Sequence, residues 1–430
     1  MNNVIKRYFA AALCCLSFLS LHAQDVDFGR TLRLDYIFSG DAKKQEISLS
    51  ELTSFAGWAG RRHHLDSVPM RGNGQLVMTD AATGKVLYKH SFSTLFQEWL
   101  SSEEATRAHK AFENVFLVPM PKDSARVKVT LWGIHDKVLA EYEQTVNPRD
   151  ILIRSLDGKK PAPHQYILRS GSSDTCIDIA IVAEGYTAAE AGDFYAKAHE
   201  ATDALLAHEP FGRLKSKFNI VAVALPSEDS GVSIPKKNIW KQTALGSQFD
   251  TFYSDRYLTT LNLRRLNDAL VGIPYEHIII LANTDNYGGG GIYNSYTLTT
   301  AKHASFRPVV VHEFGHSFVG LADEYFYDDQ YEDFYYPDTE PWEANLTTLK
   351  DFASKWQDML PKGTAIPTKP DAKHMDRIGV YEGGGYQSKG VYRAYQECRM
   401  KINEWPEFCK VCQRAIERLV DFYTGTTDQK

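Results

Sequence analysis

Two histidines and a glutamate with helical spacing are the residues of this sequence best suited to perform chemistry. They lie in VVVHEFGHSFVGLADEYF, residues 309–326, which contains the pattern HExxH. Because an α-helix has about 3.6 residues per turn, His312 and His316 stand on one face, where both imidazoles can reach one metal ion. Glu313, beside the first histidine, would take a proton from a metal-activated water and return it to the leaving amine. The pattern predicts a zinc-dependent hydrolytic site with Glu313 as general base.

The third metal ligand is expected from the residues that follow this helix. Catalytic zinc uses three protein ligands and keeps one position open. Gly320 stands where the helix must end for the chain to turn back towards the ion. Asp323 and Glu324 both come after that turn, and both are candidates for the third ligand.

The first residues of the chain predict export. Lys6 and Arg7 precede an apolar run over 8–21, and Ala23 is a suitable last residue before cleavage. The run is too short to span a bilayer comfortably, so we expect a signal peptide over residues 1–23 rather than a retained membrane anchor. The mature protein would then be secreted, periplasmic or held at the cell surface.

The cysteines are compatible with an oxidising compartment. Cys14 and Cys15 lie in the predicted signal peptide, where the preceding residues disfavour lipid attachment. The mature chain keeps Cys176, Cys398, Cys409 and Cys412. Four cysteines allow three pairings, and we expect a local bridge within residues 398–412. A zinc ribbon or a redox motif at CKVC is not favoured, since neither a second CxxC nor a thioredoxin-like context accompanies it.

Length and composition predict a globular protein with two domains. The chain has 430 residues, of which 43% are hydrophobic, enough for two ordinary cores. The net charge is −6 and no long basic run is present, which argues against nucleic acid as a partner.

The N-terminal part, residues 24–165, has the alternating pattern of short β-strands. TLRLDYIF places four apolar residues on one face, and ARVKVTLWG repeats the pattern. QLVMTDAATGKVLYKHSF predicts two strands joined by a turn at Ala81–Gly84. We expect a β-sandwich accessory domain that ends in a charged, proline-containing linker over Asn147–Gln165.

From residue 166 to 430 the pattern changes to buried strands that alternate with helices. CIDIAIVAEGY, FNIVAVAL and HIIILAN are nearly continuous apolar runs, typical of strands covered on both faces. Thr187–Glu190, TAAE, predicts a capping box that opens a helix to about Leu206. The fold class is therefore a multidomain α+β or α/β protein, with the β-sandwich followed by the catalytic domain.

The extended pattern HExxHxxxGxxDEY resembles the IgA-peptidase-like metallopeptidases, or igalysins, a bacterial branch of the metzincins. AEGYT, EPFGRLKSKFNI, SEDSGVS, NYGGGGIYNSY and ECRMK also fit the layout of that family. The resemblance covers most of residues 175–425. It implies a metzincin-like zinc peptidase domain preceded by a sandwich, with Met400 as the best candidate for the methionine turn beneath the zinc and Met375 as the alternative.

The sequence departs from the general metzincin motif, HExxHxxGxxH, at two points. One residue is added before the glycine, and the last ligand is not histidine, because Ala322 occupies the position that simple counting gives. Counting three residues on from Gly320 gives Asp323, which we favour as the third ligand. Glu324 is the reserve candidate, better suited to bracing the loop.

Two further segments have candidate roles around the cleft. YGGGGIYNSY is expected to form a strand at the cleft edge that holds an extended substrate through its backbone, rather than a phosphate loop, since no Lys-Ser/Thr follows it. Asp338, Glu340 and Glu343 with the neighbouring tyrosines could bind calcium or line a subsite, although a solvated loop is the simpler interpretation.

Together these features predict a secreted zinc endopeptidase that acts on proteins or peptides, with Zn²⁺ held by His312, His316 and Asp323. Two other functions stay open: a non-catalytic surface protein that keeps the metal, and a zinc hydrolase of cell-wall peptides or glycans. The presence of Glu313 favours the enzyme, because an inactive relative could have lost this base. No nucleic acid and no stable membrane span are expected, and the sequence leaves the oligomeric state undefined.

Overall fold

The structure, a computed structural model, describes residues 25–328 and 334–426. The predicted signal peptide, residues 1–23, with Cys14 and Cys15, lies outside these described residues. Within the described ranges, the helices are all too short or too polar to cross a membrane.

The N-terminal part consists of two four-stranded sheets. Its elements are β1 (Val26–Gly40), β2 (Gln45–Ala56), β3 (Gly74–Asp80), β4 (Val86–Phe92), α1 (Leu95–Leu100), β5 (Lys110–Pro121), β6 (Ala125–Trp132), β7 (Val138–Val146) and β8 (Arg154–Ser155). One sheet has the order β5-β1-β2-β8 and the other has the order β4-β3-β6-β7. The predicted strand pair with its turn after Asp80 is confirmed as β3 and β4, which pair antiparallel.

A six-stranded sheet forms the centre of the second part. Its elements are β9 (His164–Arg169), β10 (Ile177–Glu184), α2 (Ala191–Leu206), β11 (Phe218–Val223), α3 (Leu263–Ala269), β12 (His277–Ala282), β13 (Gly289–Ile292), β14 (Tyr296–Thr300), α4 (Phe306–Val319) and α5 (Lys410–Thr424). The strand order is β13-β14-β12-β10-β11-β9. The four inner strands run parallel, while β13 and β9 pair antiparallel at the two edges.

The buried strands predicted from continuous apolar runs are confirmed as β10, β11 and β12, each buried along its whole length. The capping box predicted at Thr187–Glu190 is also present and precedes α2. Both predictions succeeded because short-range sequence patterns determine these features.

A small sheet flanks the C-terminal end of α4. It consists of β15 (Phe326–Tyr327), β16 (Leu346–Thr347), β17 (Tyr381–Gly384) and β18 (Tyr386–Arg393). The strand β18 pairs with each of the other three. This sheet holds the chain just after α4 against residues from much later in the sequence.

The two faces of the six-stranded sheet belong to different hydrophobic cores. One core joins the N-terminal sheets to the second part, for example Phe38 of β1 with Val182 of β10 and Ile280 of β12. The other core lies on the opposite face, where Ile181 of β10 packs with the helices α2, α4 and α5, including Phe314. The sheet is therefore a middle layer between the N-terminal part and the helices.

An ion pair from a buried arginine also connects the two parts. Arg33 of β1 contacts Asp35 at 2.7 Å and Asp268 of α3 at 2.5 Å. Arg33 and Asp35 are almost fully buried, so their charges depend on this pairing. The contact ties β1 to the second part across the shared core.

Candidate metal centre and active site

The helix α4 ends as the sequence predicts, at a glycine that reverses the chain. Gly320 has a φ of 64° and its N–H donates to the carbonyl of His316 at 2.9 Å. Leu321 N–H donates to the Gly315 carbonyl at 3.1 Å, so the last carbonyls of the helix are satisfied. A side chain at Gly320 would collide with Trp342, which adds a steric reason for glycine. The turn directs the next residues back along the helix.

The turn brings Asp323 to the two histidines, and we call these three residues the histidine cluster: His312, His316 and Asp323. The two Nε2 atoms lie 3.0 Å apart, and Asp323 Oδ1 lies 3.0 Å from His312 Nε2 and 3.2 Å from His316 Nε2. Ligands about 2.0–2.2 Å from a tetrahedral zinc ion would be roughly 3.3–3.6 Å apart. The three donors therefore surround one point at spacings close to those that such an ion requires.

Hydrogen bonds at the far side of each imidazole set which nitrogen faces the cluster. His312 Nδ1 contacts the Arg399 carbonyl at 3.0 Å, and His316 Nδ1 contacts the Leu321 carbonyl at 2.6 Å. A carbonyl only accepts, so each Nδ1 carries a proton and each Nε2 faces the cluster, where it can bind a proton or a metal ion. Asp323 Oδ1 is buried, and both Nε2 atoms lie within 3.2 Å of it. Three donor atoms thus face one point, which is an arrangement that a cation satisfies.

Charge interactions within the cluster are strong in the absence of a metal. Burial opposes the charged imidazolium, but the Asp323 carboxylate overcomes this effect and raises the pKa of His316 to about 9. Burial also opposes the Asp323 carboxylate, yet the adjacent His316 holds the pKa of Asp323 well below its ordinary value. The cluster stabilises a positive charge, either a proton or a metal ion in its place.

Glu313 lies in the same helix, beside a strand made of glycines. Burial raises the pKa of Glu313 above its ordinary value. A Cβ at Gly289 would lie 3.0 Å from Glu313 Oε1, and one at Gly291 would lie 2.2 Å from the Glu313 carbonyl oxygen. Glycine is needed here because α4 and β13 approach this closely. The prediction of an edge strand is confirmed, since β13 is the last strand of its sheet, although its first residue also bridges to Tyr257.

Two tyrosines and a glutamate near the cluster were missed by sequence reasoning. Tyr386 of β18 donates its hydroxyl to Asp323 Oδ2. Tyr257 donates to Glu98 of α1, so a residue of the N-terminal part reaches the site. Burial raises the pKa of Glu98 to about 7, and the fields of His316 and Glu313 also act on it. No local motif marks these residues, because sequence separations of 63 and 159 residues join the hydrogen-bonded pairs.

Glu324, the reserve candidate for the third ligand, faces away from the histidines. Its side chain is fully buried, and Oε1 accepts from Asn345 at 3.0 Å. Burial raises the pKa of Glu324 well above its ordinary value. Met400, the residue expected beneath the metal, is also fully buried and packs against Gly315 of α4. The main-chain N–H of Glu324 donates to the Met400 carbonyl at 2.8 Å, which joins the two loops.

The disulfide expected within residues 398–412 is wrong. All four cysteines in the described residues are buried free thiols. The expectation relied on the compartment and on an even number of cysteines, but Cys176 lies apart from the other three, with its thiol 3.6 Å from the Ser216 carbonyl. The other three, Cys398, Cys409 and Cys412, lie together in the C-terminal region, and three cysteines cannot all be paired with one another.

Comparison with known families agrees with this site. Residues 166–377 and 369–420 match the family described as IgA Peptidase M64, and residues 23–143 match the family described as Peptidase M64 N-terminus. The chain belongs to the IgA-peptidase-like metallopeptidase family. It is therefore a peptidase, a hydrolase whose substrates are proteins or peptides. A search of curated proteins found no match.

Proposed function

We propose that the protein is a secreted zinc endopeptidase with a metzincin-like catalytic domain over residues 166–430, preceded by a β-sandwich domain over 24–165. The observation that carries the proposal is the convergence of three donor atoms of the histidine cluster on one point beside Glu313. The predicted signal peptide supports secretion, and the two stacked N-terminal sheets support the sandwich.

Zinc is the ion that best suits the histidine cluster. Two imidazoles and one carboxylate, with a fourth position left open, are a ligand set of catalytic zinc sites. The side chains of His312 and His316 are 13% and 16% exposed, so the cluster is partly open to solvent. Zn²⁺ held there would polarise the scissile carbonyl and lower the pKa of water.

Two residues, Glu313 and Tyr386, have the remaining roles in the reaction. Glu313 accepts a proton from the attacking water as the water oxygen bonds to the carbonyl carbon. As the C–N bond breaks, the same carboxyl delivers that proton to the leaving nitrogen. The raised pKa of Glu313 favours the second role, since a carboxyl group that holds its proton more firmly is better populated as an acid. Tyr386, through Asp323 Oδ2, fixes the orientation of the third ligand.

The edge strand β13 provides a natural place for an extended peptide. It runs beside Glu313; one flank is paired with β14, and on the other flank its first residue, Gly289, is bridged to Tyr257. A peptide that adds to this edge would be held by main-chain hydrogen bonds and would lie across the catalytic residues. The family name does not define the substrate, because specificity depends on the shape of the cleft and not on the metal ligands.

The function can be tested with a diverse peptide library and cleavage products read by mass spectrometry. The mature protein should cut within peptides rather than only at their ends, and a chelator should abolish cleavage. A Glu313→Gln variant should lose cleavage, while Glu103→Gln, at an exposed glutamate of the N-terminal part, should keep it. Cleavage that persists at the parental rate in Glu313→Gln would refute the proposed mechanism. A zinc-loaded protein that cuts no peptide would favour a binding protein instead.

A further inference from the structure

A second group of metal-ligand residues lies on the other side of the loop that carries Asp323. We call it the cysteine cluster, and it contains Glu324, Cys398, Cys409 and Cys412. One ligand atom from each of these residues lies within 4.8 Å of the others, and all four residues are buried. They come from the loop after α4, from the turn that contains Met400, and from the start of α5. The function proposed above does not use them.

The distances inside the cysteine cluster are those of ligands around one ion. The sulfur of Cys412 lies 3.8 Å from that of Cys398 and 3.5 Å from that of Cys409. Around a tetrahedral zinc ion with Zn–S bonds of about 2.3 Å, two sulfurs are separated by about 3.8 Å. The sulfur of Cys412 also lies 3.4 Å from Glu324 Oε1, close to the roughly 3.5 Å expected between sulfur and oxygen ligands.

The surroundings offer main-chain N–H groups to the sulfurs and leave one carboxylate oxygen without a hydrogen-bond partner among the described residues. Cys409 is the N-cap of α5 and Cys412 lies in its first turn, where the helix dipole stabilises anions. The main-chain N–H of Cys409 also donates to the Cys398 sulfur at 3.2 Å. Glu324 Oε2 is buried and has no hydrogen-bond partner among the described residues. A cation at the centre of this buried group would offset the charges of its ligands and satisfy that oxygen.

A disulfide does not account for the arrangement. Three thiols cannot all be paired with one another, and the remaining one, Cys176, lies against the Ser216 carbonyl on another part of the chain. Any single bridge would leave one thiol and the Glu324 carboxylate together in a dry interior. A redox role also requires access for a partner, and Cys398 and Cys412 are 0% exposed.

We propose that the cysteine cluster binds a second, structural zinc ion. Three thiolates and a carboxylate complete four-coordinate geometry and leave no open position, which is the mark of a structural site. A soft ligand set of this kind selects zinc over calcium or magnesium. The ion is separate from the one proposed at the histidine cluster, and either could be present without the other.

The second ion would hold the backbone that positions the histidine cluster. Glu324 directly follows Asp323, so fixing one carboxylate restrains the other. Cys398 lies one residue before Arg399, whose carbonyl accepts the hydrogen bond from His312 Nδ1. The ion would therefore connect the loop of the third ligand to the turn that orients the first, and it would act as a positioning element.

The test is the zinc content of the purified mature protein and of matched variants, measured by elemental analysis after dialysis. We expect two zinc ions per chain in the parent protein. Cys412→Ser should reduce this to one, and Cys176→Ser, which removes a cysteine outside the cluster, should retain two. His316→Ala should also retain one, and X-ray absorption of that variant should show sulfur ligands at about 2.3 Å.

These measurements separate the two zinc sites and do not depend on one fragile variant. Even if Cys412→Ser does not fold, the sulfur ligands in His316→Ala and in the parent protein decide the question. A parent protein with one zinc that is lost in His316→Ala would overturn the second site and leave the peptidase proposal intact. An intact mass about 2 Da lower, showing a disulfide among the three cysteines, would also overturn it. Zinc with sulfur ligands only, unaffected by His316→Ala, would support the second site and refute the first.

Discussion

Asp323 and Glu324 are consecutive in the chain, but their carboxylates belong to clusters with opposite properties. Asp323 joins two histidines that are 13% and 16% exposed, in a group of three donors. Glu324 is 0% exposed and joins three buried cysteines, in a group of four donors. Three donors, of which the two imidazoles are partly exposed, leave a coordination position for a reacting molecule, whereas four buried donors leave none. Exposure and the number of donor atoms therefore distinguish the proposed catalytic metal site from the proposed structural one, even though adjacent residues contribute to them.

Hydrogen bonds nevertheless connect the two clusters. The main-chain N–H of Glu324 donates a hydrogen bond to the Met400 carbonyl. The carbonyl of the preceding residue, Arg399, accepts a hydrogen bond from His312 Nδ1. Both contacts fall in the short turn between Cys398 and Cys409. The comparison therefore predicts that perturbing the histidine cluster affects chemistry alone, while perturbing the cysteine cluster affects stability and, through position, chemistry.

The largest contrast is expected from chelation. Dialysis against 1,10-phenanthroline should remove the ion of the partly exposed histidine cluster and abolish cleavage, because that site is reachable from solvent. The enclosed cysteine cluster should keep its ion under the same conditions. Elemental analysis should then find one zinc per chain, and added Zn²⁺ should restore activity. Loss of both ions at the same rate would contradict the distinction between an open and a closed site.

Glu313→Gln should leave both ions in place and reduce the rate of cleavage by about 10²–10⁴-fold or more, because the amide cannot accept the proton of the attacking water. The change should appear in kcat, measured on a peptide found by the library screen. Zinc content and thermal unfolding should match those of the parent protein. A large loss of zinc in this variant would instead make Glu313 a structural support of the cluster.

Tyr386→Phe should weaken only the histidine cluster, and by a smaller amount. Removing the hydroxyl that bonds to Asp323 Oδ2 should reduce zinc affinity or activity by about 10–100-fold, as is typical for groups that orient a metal ligand. Excess zinc should restore much of the activity, and Tyr392→Phe on the same strand is the matched control. If saturating zinc restores nothing, Tyr386 acts on the substrate and not through Asp323.

The sequence was sufficient for the parts of the site that lie within one short segment. The spacing of His312 and His316, the turn at Gly320 and the offset to Asp323 all depend on local helix geometry, and the structure brings these residues together. The buried strands of the six-stranded sheet were predictable for a similar reason, because continuous apolar runs of that length have few alternatives.

The rest depended on contacts between distant segments. CKVC was expected to need a second CxxC to form a zinc site, yet its partners are a single cysteine 11 residues before Cys409 and a glutamate 88 residues before Cys412. Tyr386 and Glu98 were missed for the same reason, since tertiary packing and not a local pattern places them. The disulfide prediction failed because it relied on the parity of cysteines and not on where the fold puts them.

The smallest effect is expected from cutting the linker, which lies outside both clusters. Ile151 and Leu152 are 94% and 79% exposed, so a protease that prefers large apolar residues should cut there first. A variant with serine at both positions should resist this cut, which would identify the site of cleavage.

The cut chain should nevertheless stay in one piece, with both zinc ions and full activity. One hydrophobic core is shared by the N-terminal sheets and the six-stranded sheet, and the ion pair between the buried Arg33 and the half-exposed Asp268 crosses the same boundary. Separating the two pieces would expose this core to water, at a large cost in free energy. Gel filtration of the nicked protein should therefore give a single peak at the parental volume, which splits only in denaturant. Two separate folded fragments would show that the N-terminal part is an independent domain. If activity were lost when they separate, the hydrogen bond between Tyr257 and Glu98 would be assigned a role in holding the cleft.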